Sequence, residues 1–178
     1  LSHSSAASDV YKRQDNSNRD VFRIDDNDRL EFQSVGNSAN CKTVARFRDT
    51  NAWYNFMVAV DITQTLQVDR IKFYVNGELQ THSENNYAHN IQLKFNDNVD
   101  HYVGCRGLSG GPDLEFNGYL SQFYYVDGAA LDPSHFGYTD FQTGIWRPKK
   151  FDTNVNSNYT YGSSTSTSPS GTWTASGN

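Results

Sequence analysis

From Arg19 onward, apolar and polar residues alternate with a period of two. Val21 and Arg23 alternate with Phe22 and Ile24. After the break Asp25-Asp26-Asn27-Asp28, Leu30 and Phe32 alternate with Arg29, Glu31 and Gln33. Extended backbone sends successive side chains to opposite faces, so this pattern predicts a hairpin whose turn is held by Asx side chains. A polar stretch, Gly36 to Asn40, precedes a short strand carrying Val44 and Phe47. Trp53 to Ile62 is a longer run, with Tyr54, Phe56, Val58, Val60 and Ile62 on one face and Asn55, Met57, Ala59 and Asp61 on the other. A helix would scatter both sets around its circumference. Trp53, Tyr54 and Phe56 are read as core or sheet-face residues.

Thr63 to Asp69 reads as a polar connection. Ile71, Phe73 and Val75 then alternate with Lys72 and Tyr74 up to Asn76-Gly77. Asn-Gly between such runs predicts a type I′ hairpin turn, which needs positive φ at both positions and sets Tyr74 opposite Leu79. Ser83 to Asn90 is polar and Asn-rich, Ile91, Leu93 and Phe95 suggest a strand, and Tyr102 to Cys105 another. Leu108 to Asp113, with Gly110-Gly111-Pro112, reads as a loop, and Phe116 to Val126 as a long strand. Asp132-Pro133-Ser134 predicts a single helical turn capped by Asp132. About eight short strands with no long amphipathic helix predict an all-β, antiparallel jelly-roll sandwich and argue against a parallel α/β sheet.

Composition narrows the partners. The chain has 178 residues, the size of one domain or one domain plus tails. Its formal charge of -5 offers no basic face, which disfavours nucleic acid. No apolar run approaches the ~20 residues of a membrane span. Cys41 and Cys105 are expected as reduced, partly buried thiols, a disulfide between them being the alternative. Asp9 to Gln14 reads DVYKRQ, the string that a transposase end sequence used in sequencing libraries would encode. Residues 1–14 are therefore read as translated adapter, or else as a disordered terminus, and the domain as N-terminally truncated and of marginal stability. Residues 152–178 are Ser, Thr, Asn and Gly-rich and read as a linker or tail, and their Asn158-Tyr159-Thr160 matches a glycosylation sequon. The remainder, 15–151, is the domain.

Three segments carry a family resemblance: WYNFMVAVDITQTLQVDRIKFYVNGELQ, FNGYLSQFYYVDGAALDPSHFG and FGYTDFQTGIWRPKKF. The first two resemble the central hairpin and closing strand of LamG-like jelly rolls in the concanavalin A-like lectin/glucanase superfamily. The third resembles a coda seen in copies carried by phage and marine viral structural proteins. The closing strand carries Gln122 where an acid is common. The resemblance implies a virion-associated or extracellular module binding a glycan or cell-surface polysaccharide beside other domains of the same structural protein. A ligand-free spacer domain and an accessory fragment of a glycoside hydrolase are the alternatives.

Candidate chemistry is sparse. Glucanases on this fold alternate two or three carboxylates along one strand. Asp113 and Glu115 are two apart but have no third acid, so catalysis is not expected. Asp25, Asp26 and Asp28, with Asn27, offer hard oxygens suited to Ca2+, or simply make a turn, and Asp97, Asn98 and Asp100 form a weaker group. Asn85, Asn86, Tyr87, His89 and Asn90 form the candidate sugar loop: one ring to stack and several groups to hydrogen-bond hydroxyls. Trp146 is read as an anchor for the C-terminal segment, or as a second stacking ring.

Overall fold

The computed structural model describes residues 10–12, 18–95, 101–108, 111–113 and 115–151. Its strands are β1 (Val10–Lys12), β2 (Asp20–Ile24), β3 (Leu30–Ser34), β4 (Ala39–Thr43) and β5 (Phe56–Val60). A one-turn helix, α1 (Gln67–Arg70), follows, then β6 (Ile71–Val75), β7 (Glu78–Leu79), β8 (His82–Asn85) and β9 (His101–Val103). Two short two-stranded ladders complete the set: β10 (Arg106–Leu108) with β11 (Gly111–Asp113), and β12 (Gly137–Thr139) with β13 (Trp146–Pro148). All pairings are antiparallel. One sheet has the order β8-β4-β3-β2-β1-β9 and a second has the order β5-β6-β7. Three residues of the 1–14 segment thus lie in a sheet, between β2 and β9; pairing says nothing about the codons behind them.

Alternation explains how the two sheets meet. Leu30, Phe32, Ala39 and Cys41 from the larger sheet join Ile71, Phe73 and Val75 from the smaller one in a single buried cluster. Phe22 stacks on Phe73 across the gap, ring centroids 6.1 Å apart. Tyr54, Phe56, Val58, Val60 and Ile62 pack against this cluster as one set, as their spacing predicts. The Asn76-Gly77 turn has φ of 49° and 82°, and Tyr74 does sit opposite Leu79. Asp132 caps the turn Pro133–His135, its side chain accepting from the Ser134 amide at 2.8 Å.

The opposite face of the larger sheet is polar. Its register aligns Arg23 with Glu31, Glu31 with Lys42 and Lys42 with Glu84, a row of alternating charge across four strands. Arg23 Nε lies 2.6 Å from Glu31, and Lys42 Nζ lies 3.5 Å from Glu31 and 3.6 Å from Glu84. Glu31 is only 2% exposed, so these cations offset a charge that burial would otherwise penalise.

Several expected elements are corrected. The strand placed at Val44 and Phe47 lies earlier, at β4, with Ala39, Cys41 and Thr43 turned inward. The polar connection before Ile71 contains α1, and the start of the Asn-rich stretch is β8, paired with β4. The Gly-Gly-Pro loop contains β11, paired with β10. Ile91, Leu93 and Phe95 pack on the core without forming a strand. Side chains satisfy their backbone instead: Asp20 accepts from the amides of Lys94 and Phe95, and Asn37 donates to Gln92 O at 2.8 Å. Phe116 to Val126 also forms no strand; Gln122, at φ 56°, interrupts the extended run. Cys41 and Cys105 are buried and not joined to one another. Burial pushes the Cys41 thiol up to about 12, with Glu84 adding to the effect.

Candidate functional site

The Asn-rich loop is built around a buried ring. Tyr87 is 0% exposed, its ring stacks on Phe32 with centroids 5.5 Å apart, and its hydroxyl donates to Phe32 O at 3.1 Å. Burial drives its pKa well above the ordinary phenol value, with Asp20, Cys41 and Glu31 adding to it. This corrects the expectation that Tyr87 stacks on a sugar: both ring faces belong to the core. The amides beside it hold backbone. Asn85 donates to Gln67 O at 2.9 Å and accepts from the Tyr87 amide. Asn86 donates to Ser38 O at 3.2 Å and accepts from the Asn40 amide. His89 and Asn90 are exposed, with His89 Nε2 2.9 Å from Thr63 O and the Asn90 amide bonded to Ile62 O. Arg70, which the sequence reading passed over, clamps the loop from below: its guanidinium donates to Gln64 O, Thr65 O and Tyr87 O at 2.7–2.9 Å.

The acidic turn is engaged with cations. Asp25 Oδ1 accepts from the amides of Asn27 and Arg29, and Oδ2 accepts from the Arg29 guanidinium at 2.8 and 3.0 Å. Burial pushes the Asp25 carboxyl up, but the Arg29 hydrogen bonds and the turn amides outweigh it and hold the net value below the usual range. Asp28 pairs with Arg48 at 2.7 Å, and Asp26 is exposed. These three carboxylates therefore do not converge on one point. Among the described residues, no group of three or more His, Cys, Asp or Glu side chains is placed to hold a metal ion. Asp97, Asn98 and Asp100 lie outside the described residues.

A large concavity lies elsewhere. β5 is an edge strand, and Phe116 to Val126 crosses in front without pairing to it, which leaves the sandwich open along one side. The resulting cleft, about 1660 Å³, has a floor of Phe22, Phe47, Phe56 and Val58. Its lining includes the turn Asp49 to Trp53, whose five residues are all exposed, and Asn55, Asn117 and Tyr119. Trp53 is 68% exposed, which corrects its expected core position: it precedes the first paired residue of β5 by three. The Asp49-Thr50-Asn51 turn signal just before it was the clue available in the sequence.

A laminin G family model, described as the concanavalin A-like lectin/glucanases superfamily, matches residues 1–134. The chain belongs to the concanavalin A-like lectin/glucanase superfamily. No curated protein and no solved structure matches it. In this lectin/glucanase domain, several described carboxylates are tied to structural partners. Asp61 accepts from Thr63 and Gln64, hydrogen bonds that hold it below the usual carboxylate range. Asp140 accepts from turn amides and from Arg147 at 2.9 Å. Glu115 is exposed, and the side chain of Asp113 lies outside the described residues. Trp146 in β13 is half-buried and lies over Gly77 and Gly137, where a methyl on either glycine would strike its ring.

Proposed function

We propose that this superfamily domain is a non-catalytic carbohydrate-binding module, working at a cell surface or on a virion as part of a larger structural protein. The observation that supports it best is the cleft mouth. There, exposed rings stand beside uncharged amide and hydroxyl groups on a rigid β scaffold, the chemistry that pyranoses require. The Asn85–Asn90 loop then acts as a brace beside the site, with Asn86, Ala88, His89 and Asn90 exposed. Phage or fibre membership rests on the C-terminal coda and on nothing in the fold. The test is a glycan array followed by titration calorimetry on the whole chain, with calcium and with chelator. Binding to at least one neutral polysaccharide, unchanged by chelator, is expected. Calcium-dependent binding would relocate the site to the Asp25–Asp28 turn, and no binding to any glycan would refute the module reading.

A second reading has one observation of its own. Phe141 is 91% exposed and Tyr138 and Ile145 are more than half exposed, all on or between β12 and β13. Such an apolar hairpin suits contact with a neighbouring domain, as a ligand-free spacer needs.

A further inference from the structure

We propose that Trp53 is the stacking platform for an uncharged pyranose, with Thr50, Asn51 and Asn55 as the hydrogen-bonding groups around it. The proposal rests on the carbohydrate-binding reading and specifies which residue and which class of sugar. A large exposed ring is informative where its backbone is fixed, because a fixed ring loses little entropy on binding. Both sides of Trp53 are fixed. On the N-terminal side, Asp49 Oδ1 accepts from the Asn51 amide at 2.9 Å and Asp49 O accepts from the Ala52 amide at 3.4 Å. On the C-terminal side, Asn55 is tied twice to Asn76: its amide donates to Asn76 Oδ1 and its carbonyl accepts from the Asn76 amide, both at 2.9 Å. Behind the turn, Phe47, Tyr54 and Phe56 form a ring cluster with centroids 5.2–5.7 Å apart. The turn is thus a braced pedestal, and the indole stands at its end, 68% exposed.

The surroundings select the ligand. The axial C–H face of a pyranose carries the partial positive charge that the negative face of an indole attracts, while its equatorial hydroxyls seek amides and hydroxyls at the rim. Thr50, Asn51 and Asn55 supply those groups and all line the same cleft. The adjacent cations are engaged elsewhere: Arg48 with Asp28 at 2.7 Å and Arg46 with Asn27 O at 3.2 Å. Asp49 adds negative charge to the turn. Uronates and sulfated sugars are therefore disfavoured, and neutral hexoses or pentoses are favoured.

The experiment titrates the whole chain with a soluble β-glucan, a mannan, a xylan and, as anionic control, an alginate. The unmutated chain is expected to bind at least one neutral probe and to bind alginate more weakly. Trp53→Ala should weaken the neutral probe by about thirtyfold, the size of a binding hot spot, with Trp53→Phe between the two. Because the ring is exposed, the melting temperature of Trp53→Ala should stay within a few degrees of the parent. A second readout, independent of folding of the variant, is the 19F resonance of 5-fluorotryptophan at position 53, assigned by its loss in Trp53→Phe; it should shift when the probe is added. Neutral-probe binding that survives Trp53→Ala unchanged, a 19F signal indifferent to the probe, or a preference for alginate would each overturn this proposal while leaving a carbohydrate-binding module in place. Failure of the unmutated chain to bind any probe would overturn both.

Discussion

Tyr87 shows what one residue's sequence context conceals. Its neighbours Asn85, Asn86, His89 and Asn90 are polar, so the run reads as a solvated loop with a ring to offer. The structure uses the same amides to pin backbone and buries the ring. Polar neighbours reveal that a segment leaves the sheet; they do not reveal whether one of its rings turns back into the core. His82 is a similar case with a consequence for pH. It sits at the start of β8 with its ring edge-on to Phe73, centroids 5.9 Å apart. Burial lowers its pKa below the ordinary 6.5, against a weaker opposing pull from the Ile71 backbone. The folded state therefore prefers the neutral ring. Its contribution is complete above the unfolded value and is lost as pH falls from there toward the lowered folded value. Thermal melts between pH 8 and 5 should show the parent losing more stability below pH 6.5 than His82→Gln does. Parallel curves for the two proteins would exclude this role.

At the scale of the element, the strands legible in the sequence are those with bulky inward residues. β2, β3 and β6 alternate Phe, Leu, Ile and Val with more polar groups, β5 alternates Phe56, Val58 and Val60 with Met57 and Ala59, and each appears within a few residues of its expected place. β4 was legible only as a polar stretch, because its inward residues are Ala39, Cys41 and Thr43. β8 escaped for a related reason: it is an edge strand whose residues are all polar. The converse error arose at Ile91 to Phe95 and Phe116 to Val126. Alternation at Ile91 to Phe95 reports contact with the core, and at Phe116 to Val126 the large side chains stay mostly exposed; strand formation needs a backbone partner as well. The β6–β7 turn is the element most fully specified in advance, and it gives a sharp expectation. Gly77 combines φ of 82° with a position where a Cβ would collide with the Trp146 ring; Gly128 has the same φ with open space around it. Gly77→Ala should therefore cost about 2 kcal/mol or more in denaturant unfolding, and Gly128→Ala about 1 kcal/mol. Equal costs would show that Trp146 does not press on the turn.

Among the described residues, the molecule is a sandwich with one side unclosed. Leaving Phe22, Phe47, Phe56 and Val58 along an open cleft forgoes burial worth about 25 cal/mol per Å². The native chain should accordingly enhance the fluorescence of 8-anilinonaphthalene-1-sulfonate at neutral pH and melt at the low end of the mesophile range, about 45 °C. A dark dye together with a steep, late melt would mean that Phe116 to Val126 closes the cleft in solution. The fold class was legible from alternation alone. The open side was not, because nothing in the spacing of Phe116 to Val126 shows that Gln122 adopts a left-handed backbone. The row of alternating charge on the larger sheet has an effect on assembly as well as on the finished fold. Sliding β4 by two residues along β3 keeps the greasy face inward, so hydrophobicity is blind to that mistake. It would, however, set Glu31 against Asn40 or Val44 instead of Lys42, leaving a nearly sealed carboxylate with Arg23 as its one remaining cation of the row. The ionic ladder acts as a proofreader, rejecting misaligned sheets that oil alone would accept.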